Sequence, residues 1–138
     1  VPKTSGATGV QIVVPVEPIL TFDELRAIGR FVGEYLVSRH PKLFTIERLK
    51  KNRGDLIYFD YLQHYAGKTL SAPYTPRARP AASVSTPLTW DEVRADVRPA
   101  DFNLHTIGPR LARLGDLLER APKQNLRPIF EFIRGRQG

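Results

Sequence analysis

Residues 53–64 read "RGDLIYFDYLQH", a run whose interior is Ile57, Tyr58, Phe59, Tyr61 and Leu62. All are good strand formers, so the run predicts a buried β-strand over residues 56–62. Asp60 lies inside it. A carboxylate buried without a partner costs several kcal/mol, roughly, so Asp60 requires an arginine or a metal ion beside it. By alternation it shares a face with Tyr58 and Leu62. A carboxylate on a rigid strand suits two-metal nucleotidyl transfer, although such a site needs more than one. The plainer alternative is a structural ion pair with Arg53 or Lys68, and the residues alone leave both open.

Outward from this run, residues 10–16, "VQIVVPV", predict a second strand closed by Pro15 and Pro18. A helix should start at Thr21, where Thr21 and Glu24 form a capping box. Leu25, Ile28, Val32 and Leu36 recur along it at helical spacing, and Pro41 stops it. "FTIERLKKNRG" predicts a short basic helix capped by Thr45 and ended near Gly54. Residues 67–80 read as a turn, a short strand and a proline-bracketed extended segment. Thr89 and Glu92 offer another capping box, for a helix ended by Pro99. "TIGPRLARLGDLLERAP" predicts a further helix with Leu111, Leu114 and Leu118 on one stripe. The tail "RPIFEFIRGRQG" predicts a short amphipathic helix fraying into glycines. The fold class is therefore α/β (α+β), a mixed sheet flanked by helices. Residues 10–16 and 57–62 should share one sheet, with the helix from Thr21 on the face away from the site.

The chain has 138 residues, 41% of them hydrophobic, enough for one domain with a real core. No apolar run approaches the roughly 18 residues of a membrane span and no signal peptide is visible, which fits a cytoplasmic protein. No cysteine is present, so disulfides and thiolate metal sites are excluded. With 21 Lys+Arg against 14 Asp+Glu, the net charge of +7 favours polyanionic partners such as nucleic acid or nucleotides. Methionine is absent and the chain opens almost directly on a strand, so we expect a piece of a longer protein.

Two short motifs could meet phosphate. "KTSGATG" is not a Walker A loop, because its lysine precedes the glycines and a strand follows. It could still form a nest of backbone N–H groups, or be an ordinary turn. In "TPRARP", Pro76 and Pro80 should hold the chain extended, so that Arg77 and Arg79 project from one side. Guanidiniums so placed suit a shared phosphate, or are simply solvated. His40, His64 and His105 have no metal-ligand spacing.

Together "KTSGATGVQIVVPV", "FTIERLKKNRGDLIYFDYLQH", "GKTLSAPYTPRARP", "STPLTWDEV" and "RPADFNLHTI" stand in an order and spacing that resembles the polymerase domain of bacterial ligase D. That enzyme of non-homologous end joining belongs to the archaeo-eukaryotic primase superfamily. The resemblance covers roughly residues 3–107. It implies a primase-polymerase core in which three aspartates hold two divalent ions, manganese or magnesium, and Asp60 matches the third. Ser5 matches a serine that contacts nucleotide phosphates, and Arg53 an active-site arginine. Gln63 and Thr69 match positions lining the nucleotide pocket. Arg77 and Arg79 match the pair gripping the incoming nucleotide and neighbouring DNA. Lys3 matches the motif lysine. Gln11 stands where much of the superfamily has a histidine against the triphosphate, which implies a weaker, pH-insensitive contact.

The first two metal aspartates of the family belong to a motif upstream of "KTSG". The chain is therefore expected to be either a single domain or, better, the C-terminal part of such a polymerase domain, its metal site one-third built. The implied function is addition of nucleotides (NTP or dNTP) at DNA ends by two-metal catalysis, in the bacterial nucleoid. The implied partners are DNA ends and template, with Ku and a fused or separate ligase domain as further candidates. The competing reading is a non-catalytic basic module that binds DNA or a repair partner.

Overall fold

The computed structural model describes residues 1–136, so the glycine-ended tip of the tail lies outside the described residues. The fold is mixed α/β, with small sheets and helices. It divides into two compact units.

The first unit holds Val1–Val16 and Thr69–Gln124. Here β1 (Pro2–Thr4) and β2 (Val10–Ile12) pair antiparallel, with Lys3 opposite Gln11. Residues 83–88, entirely buried, run along the other edge of β1. Thr4 N–H donates to Thr86 O at 2.9 Å and Leu88 N–H to Pro2 O at 2.8 Å. The far edge of residues 83–88 receives the segment around Pro76, where Arg77 N–H donates to Ser83 O at 2.8 Å. This interior is polar, and its hydroxyls are satisfied as buried donors must be. Ser85 Oγ donates to Thr4 O at 2.9 Å and Thr86 Oγ1 to Val84 O at 2.8 Å. Helix α2 (Trp90–Arg94) begins at the Thr89–Glu92 capping box. Helix α3 (Ile107–Leu114) stops at Gly115, whose φ of 67° a glycine tolerates best, so Leu118 falls in a turn instead of extending the stripe.

The second unit holds residues 17–68 and the chain from Asn125. Helix α2's longer counterpart, α1 (Phe22–Arg39), has the expected capping box at Thr21 and Glu24. Gly29 and Gly33 lie one turn apart on it. A Cβ at Gly33 would stand 2.8 Å from Ile46 Cγ2 and 2.9 Å from Phe59 Cδ1, and one at Gly29 2.9 Å from His64 Nδ1. The two glycines therefore let residues 46 and 59–64 settle directly on the helix. β3 (Phe44–Thr45) pairs parallel with β4 (Ile57–Tyr58). Helix α4 (Arg127–Gly135) joins α1 through the Arg127–Glu24 ion pair at 2.9 Å and an edge-on Phe31–Phe132 contact.

Several local expectations are corrected. β2 and β4 lie in separate two-stranded sheets, not one. The strand expected over residues 56–62 ends at Tyr58, and a 3-10 turn, Tyr61–Gln63, replaces its second half. Thr45 is a β3 residue whose Oγ1 accepts from Glu47 N–H, and the only helix in the basic segment is the 3-10 turn Lys50–Asn52. Residues 67–75 hold no named strand, and Pro76 makes an isolated bridge to Val84.

Candidate functional site

In the second unit, the turn that ends β4 projects Asp60 to the surface. The buried carboxylate expected from the sequence is therefore an exposed one. Its partner is neither arginine nor lysine: Tyr58 Oη donates to Asp60 Oδ1 at 3.3 Å. Arg53 lies over the Tyr58 ring, 3.5 Å from its centroid, and Arg53 Nε donates to Glu47 O at 2.8 Å. Burial, then the Asp60 charge, push the Tyr58 phenol above its ordinary value, so it remains a donor at neutral pH. Arg53 thus clamps the tyrosine that orients Asp60.

Around this chain opens a cleft of about 540 Å³. Arg26, Arg48, Arg53 and Lys68 line it together with Tyr58, Asp60, Leu62, Gln63 and Tyr65. Because Arg26 belongs to α1, the helix faces this cleft and is not turned away from it. Against four cations stands one carboxylate, Asp60. Among the described residues no salt bridge joins Arg48, Arg53 or Lys68 to a carboxylate. A cleft with this excess of positive charge attracts anions. Sequence reasoning missed Arg26, Arg48 and Tyr65, and weighed Lys68 only as an ion-pair partner. Their common signal, a basic and aromatic composition, is scattered over 43 positions from Arg26 to Lys68 and is gathered only by folding.

In the first unit, Ser5 Oγ accepts from Ala7 N–H at 3.2 Å and Gly9 N–H at 3.1 Å, organising the "SGATG" turn. Gly6 has φ 70°, and a Cβ there would stand 2.5 Å from Arg77 Cγ, so Arg77 lies against this turn. Lys3 is fully buried. Its ammonium donates to Ser85 Oγ and, at 3.0 Å, to Ser71 O. Burial, then the nearby Arg77 charge, hold its pKa below the ordinary lysine value. Gln11 is its cross-strand neighbour, and Gln11 Oε1 is buried without a hydrogen-bond donor. Lys3, Gln11, the Ser5 turn and Arg77 are thereby neighbours within this unit. Arg79 is exposed. The backbone between the two arginines is not extended as expected, because Arg79 N–H donates back to Arg77 O at 2.8 Å in a γ-turn. Thr69 is exposed at the start of the unit's second segment. Arg53, Asp60 and Gln63 belong to the other unit.

A divalent ion needs several oxygen ligands. Asp60 is exposed and bonded by one phenol, so its carboxylate suits a single ligand. Among the described residues, however, no group of three or more His, Cys, Asp or Glu side chains gathers where a metal could be held. These residues do not build a two-metal site by themselves. No helix is long and apolar enough to cross a membrane among the described residues.

The chain is similar to proteins of known kind. It is 39% identical over 137 residues to the bifunctional non-homologous end joining protein LigD of Bacillus subtilis, covering 99% of this chain and 21% of that protein. It is 34% identical over 132 residues to the multifunctional non-homologous end joining protein LigD of Mycolicibacterium smegmatis, covering 96% of this chain and 17% of that protein. The chain thus spans about a fifth of the length of these curated relatives. Its fold matches the polymerase domain from Mycobacterium tuberculosis ligase D, solved in complex with DNA, with a TM-score of 0.81 and 30% identity over 87% of this chain and 42% of that one. The family model for the LigD primase-polymerase domain matches residues 1–118, and the chain belongs to that family.

Proposed function

We propose that this chain is the part of a LigD-type polymerase domain that grips the incoming nucleotide and the DNA end, and that the full-length protein adds nucleotides at broken DNA ends during non-homologous end joining. The observation that carries the reading is the family match over residues 1–118. Supporting it, the solved relative of the same fold carries DNA, and here a cationic cleft surrounds an exposed, oriented aspartate. In the first unit Arg77, Arg79, Ser5, Gln11 and Thr69 are the groups for nucleotide phosphates and adjoining DNA, with Lys3 buried behind them as support; in the second unit Arg53 and Gln63 are nucleotide-pocket residues. Asp60 contributes one carboxylate toward manganese or magnesium. A divalent ion held there would supply Lewis-acid activation of an attacking hydroxyl and charge stabilisation of a leaving pyrophosphate. The chain's own residues orient Asp60, through Tyr58 and Arg53, and supply positive charge to phosphates. Ku and a ligase domain are the further partners on this reading.

The test is primer extension and thermal melting on one Asp60→Asn preparation of the full-length protein, with and without manganese. Extension should be lost while the melting temperature stays within a degree or two, because an exposed side chain contributes within about 0.5 kcal/mol. Undiminished extension by Asp60→Asn would remove Asp60 from catalysis. A wild-type protein that binds DNA but never extends a primer would favour the non-catalytic DNA-binding module.

A further inference from the structure

The cleft of the second unit contains more than the proposed reaction uses. Tyr65 is 54% exposed, and the Arg26 guanidinium lies 5.5 Å from its ring centroid. Arg26 is itself held by Asp23 at 2.9 Å. Gly29, one turn along α1, admits His64 against the helix, and that close seat carries the neighbouring Tyr65 to Arg26. Lys68 N–H donates to Tyr65 O at 3.1 Å, closing a turn through Gly67, whose φ is 82°. Tyr65 and Lys68 are thereby fixed at the two ends of one turn, and Arg48 stands in the same cleft.

A supported aromatic ring with open area, set among cations, has a specific chemistry. Inorganic triphosphate would use the cations and leave the ring idle. A nucleoside triphosphate brings one base with all its phosphates in one short chain, whereas the cations here come from α1, from residues 48–53 and from the turn at Lys68. A duplex would also meet the cations, but its bases are stacked inside and cannot reach the ring. An unpaired nucleic-acid strand uses both, its phosphates on the basic groups and a base on the ring. We propose that Tyr65 is a base-stacking platform, and Arg48 and Lys68 phosphate grips, for an unpaired stretch of DNA strand entering the Asp60 cleft. This deepens the proposed function and rests on it.

The experiment is fluorescence anisotropy on the full-length protein with a labelled oligodeoxythymidine lacking a 5′-phosphate, a blunt duplex of equal length, and ATP. Tyr65→Ala should weaken binding of the single strand about tenfold, and Tyr65→Phe should restore it. Duplex and ATP affinities should be unchanged by Tyr65→Ala. Arg48→Gln and Lys68→Gln should each flatten the dependence of log K on log salt by about 0.7 for the single strand. Melting curves establish that each variant is folded, and Tyr65→Leu serves in place of Tyr65→Ala should the latter not fold. Single-strand binding unchanged in Tyr65→Ala, or lost in parallel with duplex or ATP binding, overturns the inference and leaves the polymerase reading standing. A wild-type protein that binds no DNA overturns both.

Discussion

The buried cations of the first unit and the cleft cations of the second use charge in opposite ways. In the first, Lys3 and Arg110 are buried and every buried cation has its partners. Arg110 bonds both Glu92 oxygens, with Nη2–Oε2 at 2.7 Å, and Nη2 also donates to Pro87 O at 2.8 Å. In the second, Arg48, Arg53 and Lys68 line an open cleft, none in a salt bridge among the described residues. The contrast separates charges that hold the fold from charges left open in a cleft. A buried ion pair loses far more when one partner is removed than an exposed charge does.

That contrast can be broken hardest at Arg110. Arg110→Met leaves Glu92 half-buried without its cation and should cost about 3–5 kcal/mol by chemical denaturation. Lys68→Gln should change stability by less than about 0.5 kcal/mol. Equal losses would erase the distinction. The pair also has a pH signature. Burial, the largest single influence, would raise the Glu92 pKa, but the Arg110 hydrogen bonds and charge together with the Thr89 cap bonds outweigh it and hold it below the ordinary carboxylate value. A lowered carboxylate pKa contributes stability above its unfolded value, and that contribution is lost as pH falls through the folded one. Acid should therefore weaken the wild type more than Arg110→Met.

A smaller effect tests whether the open cleft rests on close backbone packing. Gly33→Ala drives a methyl against Ile46 and Phe59, and should cost about 1–3 kcal/mol despite alanine's better helix propensity. Stabilisation instead would show that residues 46 and 59 give way freely.

The smallest effect concerns Lys3. Its folded pKa is lowered, so the unfolded chain binds more protons between that value and the ordinary 10.5. Stability from Lys3 should therefore rise with pH across that window. Tyr74 works against it above 10, because burial and its hydrogen bond to Asp116 push the phenol up to about 12. The difference between wild type and Lys3→Met isolates the lysine. In urea titrations over alkaline pH, the wild-type midpoint should gain on the variant's. Parallel curves would mean that Lys3 titrates as it does in water.

What the sequence determined by itself is what depends on near neighbours in the chain. The capping boxes of Thr21 with Glu24 and Thr89 with Glu92 need only a residue three places on, and both formed. The family pattern was legible for the same reason, as short motifs in fixed order. Tertiary structure decided the rest. The polar segment 83–88 is the buried centre of its unit because residues 2–4 and 75–77 satisfy its backbone from far away. Asp60 reads as a strand residue, yet the chain turns after Tyr58 and exposes it. The cleft itself exists because Gly29 and Gly33 let distant segments rest on α1, gathering Arg26, Arg48, Tyr65 and Lys68 around that aspartate. Local hydrogen bonds close with little loss of chain entropy and leave their mark in adjacent residues. Contacts between distant segments depend on where the whole chain finds partners for its polar backbone, and no short stretch records that.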